Sequence, residues 1–440
     1  MLQNRFGIEL AYHSANNTLR QNIMSANTYN FGISGEYLSD FIHNIDASNK
    51  VNNKSILYLI AQKNLIINRN TYPNIGYLSL VNCENITVNG LLLQNNLQGL
   101  LLAYTDSSFI EDTVITDSFN RIKLVNSKYN VFINNTLLNN RCGIYLCESN
   151  NNTLSGNIVD NDPVTSPPIA VRVGFAGICI TNSNNNILTE NTVKNSEDIG
   201  ILLYKSTNNR LAGNSIINSK THGIYISSSN NNIIYRNNLI DNSQQIFNEN
   251  STNIWDAGYL FGGNFWNDFK GTDYYCGVYQ NETGSDGVGD TLYIIDENNM
   301  DRYPLMGPFT CLKTSVGYSI DVISNSSVKR FTYIESNSTI IMWVSNRTAN
   351  QTAGFCRLTI PHQLMQPPYT IKVNNTTITY DTIYENFTDR TSIIYFTYKH
   401  STLKITVIPE FTLNIVLALM FITFLVFILE KRRLPIKLKT

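Results

Sequence analysis

The chain has 440 residues and a formal net charge of −1, which gives no sign of a polyanion partner and argues against a nucleic-acid binder. Hydrophobic residues make up 42% of it, with 25 Tyr and 20 Phe, so global disorder is also excluded. Asn is the unusual residue, because roughly 60 copies amount to about one residue in seven, far above ordinary usage.

The N-terminus carries no recognisable signal peptide. Met1 to Arg5 leads directly into a segment with the character of a repeat, without the apolar stretch of a secretion signal. We therefore expect the natural N-terminus to lie further upstream.

A repeat of about 22 to 23 residues occupies positions 78–242. Its clearest copies begin with CGIYL at 142–146, GICI at 177–180, GILL at 200–203 and GIYI at 223–226. Each copy continues through a Ser/Asn turn, a second short strand, an Asn and a third short strand. Such short strands cannot bury an apolar face alone, so successive copies must stack as rungs of a coil. The repeat predicts a parallel β-helix over residues 1–250.

The Asn residues are expected to occupy the turns between these strands. Asn tolerates left-handed backbone angles, and its amide can donate to and accept from the Asn one rung away. A ladder of this kind explains the Asn excess. Residues 163–168, with three Pro, interrupt the period and predict a loop that protrudes from one corner.

The segment from about Asn16 to Phe309 resembles the NosD-type periplasmic copper-binding proteins and the wider right-handed β-helix group of carbohydrate-binding proteins and sugar hydrolases. Besides the rungs, the resemblance rests on HNID at 43–46, VNNKSILY at 51–58, GYLSLVNC at 76–83, GNFWND at 263–268 and YPL at 303–305. It implies a right-handed coil in a surface setting.

Copper is not expected in this chain. A copper site needs His, Met or Cys at convergent positions. The five His are instead scattered, at His13, His43, His222, His362 and His400. His222 precedes a rung glycine, and we interpret it as structural.

Catalysis on a polysaccharide would need an acid and a base on one face, about 5 to 9.5 Å apart in hydrolases. The repeat stacks no such carboxylates in successive rungs, which favours solvated turn positions for most acids. Glu190 with Asp198 is the catalytic alternative that remains.

Residues 251–309 are predicted to cap the open end of the coil, and they contain a calcium-like loop. Its core is Asp286-Gly-Val-Gly-Asp290, in which Gly allows the chain to curl and the carboxylates can supply some of the six to eight oxygens that Ca²⁺ takes. If calcium is bound, the expected carboxylate ligands are Asp273, Asp286, Asp290 and Asp296. The alternative is an ordinary Gly/Asp turn.

Residues 312–408 lack the Asn runs and show longer alternating stretches, such as YSIDVI at 318–323 and STIIMWV at 338–344. Several such runs with turn signals between them predict an antiparallel β-sandwich. GFCRLTIP at 354–361 is similar to the membrane-proximal β modules beneath archaeal surface β-helices, which implies a spacer role.

Residues 411–429 form an uncharged apolar run of about 19 residues, which as a helix spans roughly 28 Å and can cross a bilayer. Lys431, Arg432 and Arg433 follow it, so the tail at 430–440 is expected in the cytoplasm and the large N-terminal part outside. The Pro-Glu-Phe sequence at 409–411 resembles the tails of many archaeal surface proteins. About fourteen Asn-x-Ser/Thr sequons agree with an external, glycosylated part.

The sequence therefore predicts an all-β protein with a right-handed parallel β-helix, an antiparallel β-sandwich and one C-terminal transmembrane helix. The leading hypothesis is a membrane-anchored extracellular protein that binds polysaccharide or glycosylated cell-surface material without catalysis. Two alternatives stay open: a polysaccharide lyase or glycoside hydrolase, and a structural or adhesive cell-envelope protein.

Overall fold

The computed structural model describes residues 4–139, 142–161, 176–388, 390–399, 402–410 and 423–428. The chain divides into two compact units, Met1–Phe309 and Thr310–Thr440. The predicted loop at 163–168, most of the predicted membrane span at 411–429 and the predicted tail at 430–440 lie outside the described residues.

The first unit is a right-handed parallel β-solenoid of about ten turns, as predicted. Three parallel sheets form its sides, and one complete rung contributes one strand to each sheet. The first sheet contains the strands Ile23–Met24, Lys50–Val51, Lys54–Ile60, Ile75–Val81, Gln98–Ala103, Asn120–Val125, Cys142–Cys147, Ala176–Thr181, Ile199–Tyr204, His222–Ser227 and Gln244–Glu249. Within it only Lys50–Val51 and Lys54–Ile60 are recorded as an antiparallel pair among the described strands.

The second and third sheets have eight strands each. The second contains Ile66–Ile67, Thr87–Asn89, Phe109–Glu111, Val131–Ile133, Thr153–Ser155, Ile187–Thr189, Arg210–Ala212 and Ile233–Tyr235. The third contains Leu92–Gln94, Val114–Thr116, Thr136–Leu138, Ile158–Asp160, Thr192–Lys194, Ser215–Ile217, Asn238–Ile240 and Phe265–Trp266. The coil therefore continues past residue 250, where we predicted its end. In the last rung an insertion separates Ile254, which pairs with the second sheet, from Phe265 in the third sheet, so the sequence repeat is interrupted there.

The glycine that opens each repeat has a packing reason. A Cβ at Gly177 would lie 2.3 Å from a methyl carbon of Val193, and one at Gly200 would lie 2.4 Å from a methyl carbon of Ile216. Both partners belong to the interior cluster, which extends along the coil from Ile67 to Trp266. Only glycine lets the first-sheet strand approach the third sheet this closely.

Two Asn ladders line two corners of the coil. The first contains Asn130, Asn152, Asn186, Asn209, Asn232 and Asn253, and the second contains Asn135, Asn157, Asn191, Asn214, Asn237 and Asn264. In the second ladder every amide Nδ2 donates to the next Oδ1 at 2.9 Å. The predicted ladder is therefore present.

The ladder and the left-handed turns use different Asn residues. Asn151, Asn185 and Asn208 have positive φ angles near 58°, whereas the buried ladder residue is the one that follows each of them. In each pair of adjacent Asn residues, the first adopts the left-handed backbone conformation of the turn, and the side-chain amide of the second forms the ladder.

A hairpin of Tyr293–Asp296 and Asn299–Asp301 ends both ladders. Asn299 Oδ1 accepts from the backbone N–H of Asn253 at 2.9 Å, and Asp301 Oδ2 accepts from that of Asn264 at 2.7 Å. Trp266 stacks on Tyr293 with ring centroids 4.2 Å apart. This hairpin supplies the partners that a further rung would otherwise provide, so it closes the coil.

The N-terminal segment covers part of the outer face of the first sheet. It contains the strands Phe6–Leu10, Thr18–Leu19, Tyr29–Ile33 and Asn44–Ile45 and the 3₁₀ helix Leu38–Phe41. Phe31 and Ile33 pack in one cluster with Tyr77 and Leu101, which point outward from the first sheet. A further short antiparallel pair, Tyr275–Cys276 with Glu282–Thr283, precedes the closing hairpin in the chain.

The second unit contains two five-stranded sheets, in which the described strand pairs are antiparallel. One contains Phe309–Lys313, Ser319–Ser324, Ala353–Pro361, Thr391–Lys399 and Asp381–Asn386, and the other Ser327–Ile334, Thr339–Ser345, Leu403–Pro409, Tyr369–Val373 and Thr376–Ile378. A 3₁₀ helix spans Glu335–Asn337. Ile340, Leu358 and Ile405 come from both sheets and lie in one buried cluster, which is the arrangement of a sandwich.

Of the predicted membrane span, the structure describes only residues 423–428, which are helical. Among the described residues, no helix reaches the length and apolar character needed to cross a bilayer.

Candidate functional site

The outer face of the first sheet carries half-exposed aromatic side chains on its last rungs. Ile224 and Ile226 point into the coil, so Tyr225 between them points outward. Phe247 is the register partner of Tyr225 on the next rung. His222 lies on the same strand as Tyr225 and is also partly exposed. We call His222, Tyr225 and Phe247 the aromatic surface.

The rings of the aromatic surface contact one another closely. Tyr225 and Phe247 stack with centroids 4.7 Å apart and planes inclined by 21°. This spacing equals the distance between neighbouring strands, so the rung repeat itself sets the stack. His222 meets each of the two rings edge-on at 5.5 Å. The result is a rigid apolar patch that carries a phenol hydroxyl and an imidazole.

Polar groups border the aromatic surface where the preceding turn ends. Thr221 Oγ1 donates to Asp198 Oδ1 at 2.7 Å and lies 3.1 Å from His222 Nδ1. Burial lowers the pKa of His222, against the opposing effect of the Asp198 charge. A neutral imidazole at neutral pH can both donate and accept a hydrogen bond.

The carboxylates near the aromatic surface are too far apart for an acid–base pair. Asp198 is held at the start of the strand His222–Ser227, whereas Glu249 accepts from Ser227 Oγ at its end. Five residue steps of about 3.3 Å separate these ends by roughly 17 Å. Glycosidase carboxylates lie within about 9.5 Å of each other. Asp198 and Glu249 therefore do not form a glycosidase-type acid–base pair.

The predicted catalytic pair is also separated by the fold. Glu190 lies in the turn before the strand Thr192–Lys194, and Asp198 follows that strand. The two carboxylates consequently occupy opposite corners of one rung. Their spacing in the sequence looked compatible with one face, but the short third side of the coil lies between them.

In the calcium-like loop, backbone N–H groups surround the predicted carboxylates. Asp273 accepts from the N–H of Asp286 and of Gly287, each at 2.9 Å. Asp290 accepts from the N–H of Tyr274 at 2.9 Å and of Tyr275 at 3.0 Å. These reciprocal bonds connect the two sides of the loop.

Asp286 and Asp296 have separate partners. Asp286 is buried and accepts from the Val288 N–H at 2.9 Å and the Tyr259 hydroxyl at 2.5 Å. Asp296 lies in the closing hairpin and accepts from the Nδ2 groups of Asn248 and Asn299, each at 2.8 Å. The structure thus gives Asp296 a role in the cap, apart from the other three acids.

The charge state of the loop follows from burial. Desolvation raises the pKa of Asp273 to about 7, the two N–H donors oppose that shift, and the charges of Asp286 and Asp290 add to it. Within the described chain, no three His, Cys, Asp or Glu side chains are arranged to share one metal ion. This geometry favours the Gly/Asp turn over the calcium site, the two alternatives that the sequence left open.

Calcium binding can be tested directly by thermal unfolding. We expect melting temperatures in EDTA and in millimolar calcium to agree within about 1 °C, because a ligand stabilises only in proportion to its binding to the folded state. A calcium-dependent rise of several degrees that Asp290→Asn removes would contradict this expectation and establish the metal site.

Three of the described histidines have separate partners in the fold. His43 accepts from the Asn17 N–H through Nδ1 at 3.3 Å and contacts the Asp40 carbonyl through Nε2 at 2.9 Å. His362 Nε2 contacts Ser392 Oγ at 2.8 Å, and His222 lies between aromatic rings. These three imidazoles have different neighbours, so they do not converge as ligands of one copper ion.

Sequence reasoning missed Tyr225 and Phe247. A signal was available, since they are 22 residues apart and both lie at the third position after the start of a first-sheet strand. Their stacking depends on the register between neighbouring rungs. The sequence repeat indicates that rungs stack, but it does not show which residues of two rungs lie opposite each other.

Comparison with solved structures finds similar coils at low identity. The periplasmic alginate epimerase AlgG matches with 16% identity over 56% of this chain and 67% of its own, at a TM-score of 0.36. The Dettilon tailspike protein gp208 matches with 10% identity over 80% of this chain and 86% of its own, at a TM-score of 0.29. These values describe a similarity of fold only. No curated protein sequence matches the chain.

A family model gives the clearest relationship. The model described as periplasmic copper-binding protein (NosD) matches residues 32–170 and 64–271. Together the two matches span residues 32–271, which is more than half of the 440 residues. They include the rungs, both Asn ladders and the aromatic surface. The chain therefore belongs to the NosD family.

Proposed function

We propose that this chain is a membrane-anchored extracellular protein that binds polysaccharide or glycosylated cell-surface material, without cleaving it. The observation that carries the proposal is the aromatic surface with its polar border. Sugar rings have apolar faces edged by hydroxyl groups. Tyr225 and Phe247 match the faces, while His222 and Asp198 can bond the hydroxyls.

The position of the aromatic surface limits the length of the contact. It occupies two neighbouring rungs near the cap, and the outward-facing Leu202 and Cys179 of the two preceding rungs are buried. A polysaccharide would therefore contact this face over the two rungs that carry the rings. The separation of roughly 17 Å between the ends of the bordering strand supports the absence of cleavage.

The extracellular and anchored parts of the proposal rest on other features. The family description names the periplasm. The apolar run at 411–429 with its basic tail supports a single C-terminal anchor, and the Asn-x-Ser/Thr sequons support glycosylation outside the cell.

The test measures binding and polymer size together. The folded protein is incubated with a polysaccharide panel, and co-elution and chain length are followed by size-exclusion chromatography. We expect co-elution with at least one polymer of unchanged length. Tyr225→Ala and Phe247→Ala should each weaken that binding by about tenfold or more, as loss of a central aromatic contact does.

Phe109→Ala is the matched control, since Phe109 is a partly buried aromatic residue on the second sheet. It should leave binding unchanged. Shortened polymers would refute the non-catalytic proposal and favour a lyase or hydrolase. If no polymer co-elutes, the structural or adhesive envelope protein is the better account.

A further inference from the structure

An open cleft interrupts the coil near its N-terminal end. The strand Ile66–Ile67 of the second sheet leads into a loop at 68–74 where later rungs place a third-sheet strand. The third sheet consequently begins one rung later, at Leu92–Gln94. Between the loop and this edge lies a cleft of about 250 Å³. We call it the Lys54–Arg69 cleft.

Local hydrogen bonds hold the loop in place. Asn68 Oδ1 accepts from the N–H groups of Asn70 at 2.9 Å and Thr71 at 3.0 Å. Thr71 Oγ1 donates to the Ile66 carbonyl at 2.8 Å, and the Ser55 N–H donates to the Asn74 carbonyl at 2.8 Å. The cleft is thus formed before any ligand arrives, which reduces the entropy cost of binding.

Two cationic side chains line the cleft, Lys54 from the first sheet and Arg69 from the loop. In the part of the chain that the structure describes, neither forms an ion pair with a carboxylate. Nor does an acidic side chain among the described residues line this cleft or the small hollow that shares Lys54 and Leu92 with it. Two unpaired cations on facing elements create a positive potential that attracts an anion.

The remaining lining suits a sugar. Tyr72 and Leu91 provide apolar surface, and Asn74 provides an amide. The strand Leu92–Gln94 is the edge of its sheet, so one side of its backbone has no strand partner among the described residues and can bond hydroxyl groups. A volume of about 250 Å³ is below the roughly 300–1,000 Å³ of a site for a drug-sized ligand. It fits one sugar unit.

We propose that the Lys54–Arg69 cleft binds one hexuronate unit of an acidic glycan, with its carboxylate between the Lys54 ammonium and the Arg69 guanidinium. Arg presents paired N–H donors that match the two oxygens of a carboxylate, and Lys adds a point charge. This site is separate from the aromatic surface and does not require that surface to bind glycan.

The experiment is calorimetric titration of the full chain with trigalacturonate, with neutral galactotriose and with a sulfated trisaccharide of equal charge. We expect trigalacturonate to bind, binding to weaken in 0.5 M NaCl, and galactotriose to show no binding. Lys54→Gln and Arg69→Gln should each weaken binding by about tenfold, the scale of one charge-assisted hydrogen bond. Lys128→Gln, at an exposed lysine of another turn, should change nothing.

Specific results would overturn the proposal. Binding of galactotriose as tight as that of trigalacturonate would show that the ligand charge does not contribute to affinity. Equal binding of the sulfated trisaccharide would show that the cleft binds anionic sugars in general and does not select a uronate. Uronate binding that survives both Lys54→Gln and Arg69→Gln but is lost in Phe247→Ala would place the ligand on the aromatic surface. Failure of the polysaccharide panel at that surface leaves the cleft assignment standing, provided that trigalacturonate binds and the two cation variants weaken it.

Discussion

Asn214→Ala is expected to destabilise the coil by about 3 kcal/mol or more. The Asn214 side chain is fully buried and makes four hydrogen bonds. Its Oδ1 accepts from the N–H and the Nδ2 of Asn191, and its Nδ2 donates to the Leu188 carbonyl and to Asn237 Oδ1, all at 2.9 to 3.0 Å. Alanine would leave the buried Asn191 N–H without its acceptor, which costs about 1–3 kcal/mol, and would remove three further hydrogen bonds worth about 0.5–1.5 kcal/mol each. Asn191 Nδ2 keeps its bond to the Leu154 carbonyl, and Asn237 Oδ1 keeps its bond from the N–H of residue 214.

The measurement is urea unfolding combined with hydrogen exchange. Because each rung contacts only its neighbours, the loss should appear as faster exchange at the rungs around Asn191 and Asn237 before the whole unit unfolds. Asn218→Gly is the matched control, since Asn218 is exposed in the next turn and has a φ of 56° that glycine adopts freely. A loss for Asn214→Ala no larger than for this control would show that the ladder contributes little to stability.

Asp301→Ala is expected to detach the closing hairpin from the coil. Asp301 is fully buried and accepts from the Asn264 N–H at 2.7 Å, the Trp266 indole N–H at 2.8 Å and the Tyr303 N–H at 3.0 Å. Alanine would leave three donors without an acceptor, which costs about 3 kcal/mol or more in total. Gly263 packs directly against this carboxylate, since a Cβ at position 263 would lie 1.7 Å from Asp301 Oδ1. Exchange should accelerate first at Asn264 and Trp266.

The same carboxylate gives a pH dependence with a defined sign. Burial raises the pKa of Asp301 to about 7, while the N–H donors oppose that shift. The folded state therefore keeps a proton that the unfolded chain releases near pH 4. The stabilisation is fully present below pH 4 and is lost as the pH rises to about 7. Asp273 shifts in the same direction, also to about 7.

Thermal unfolding at pH 5 and pH 7.5 checks this sign. The natural chain should lose more stability between the two values than Asp301→Asn does, because the amide cannot titrate. Asp241→Asn, at an exposed turn acid, should retain the natural difference. An Asp301→Asn variant with the same loss as the natural chain would mean that this carboxyl is ionised throughout.

The coil could be predicted because its information is local and repeated. Gly200 and its equivalents recur at the one position where the first sheet meets the third, and paired Asn residues recur at the turns. The last rung escaped prediction because an insertion separates Ile254 from Phe265 and breaks the period, so we placed the end of the coil too early. The calcium-like loop shows a related limit. Its Asp–Gly pattern allows both a metal site and a turn, and only the positions of the N–H donors distinguish them.

The sequence by itself determined the architecture, the Asn ladders and the all-β character of both units, because a period of about 22 residues leaves stacking as the means of burying short strands. The tertiary structure decided which side chains meet. Tyr225 and Phe247 stack only because the rungs align in register, and Asp198 and Glu190 separate because a short strand lies between their corners. Lys54 and Arg69 share a cleft only because one loop replaces a strand. Such contacts join residues that are distant in the chain, and their geometry depends on how the whole coil packs.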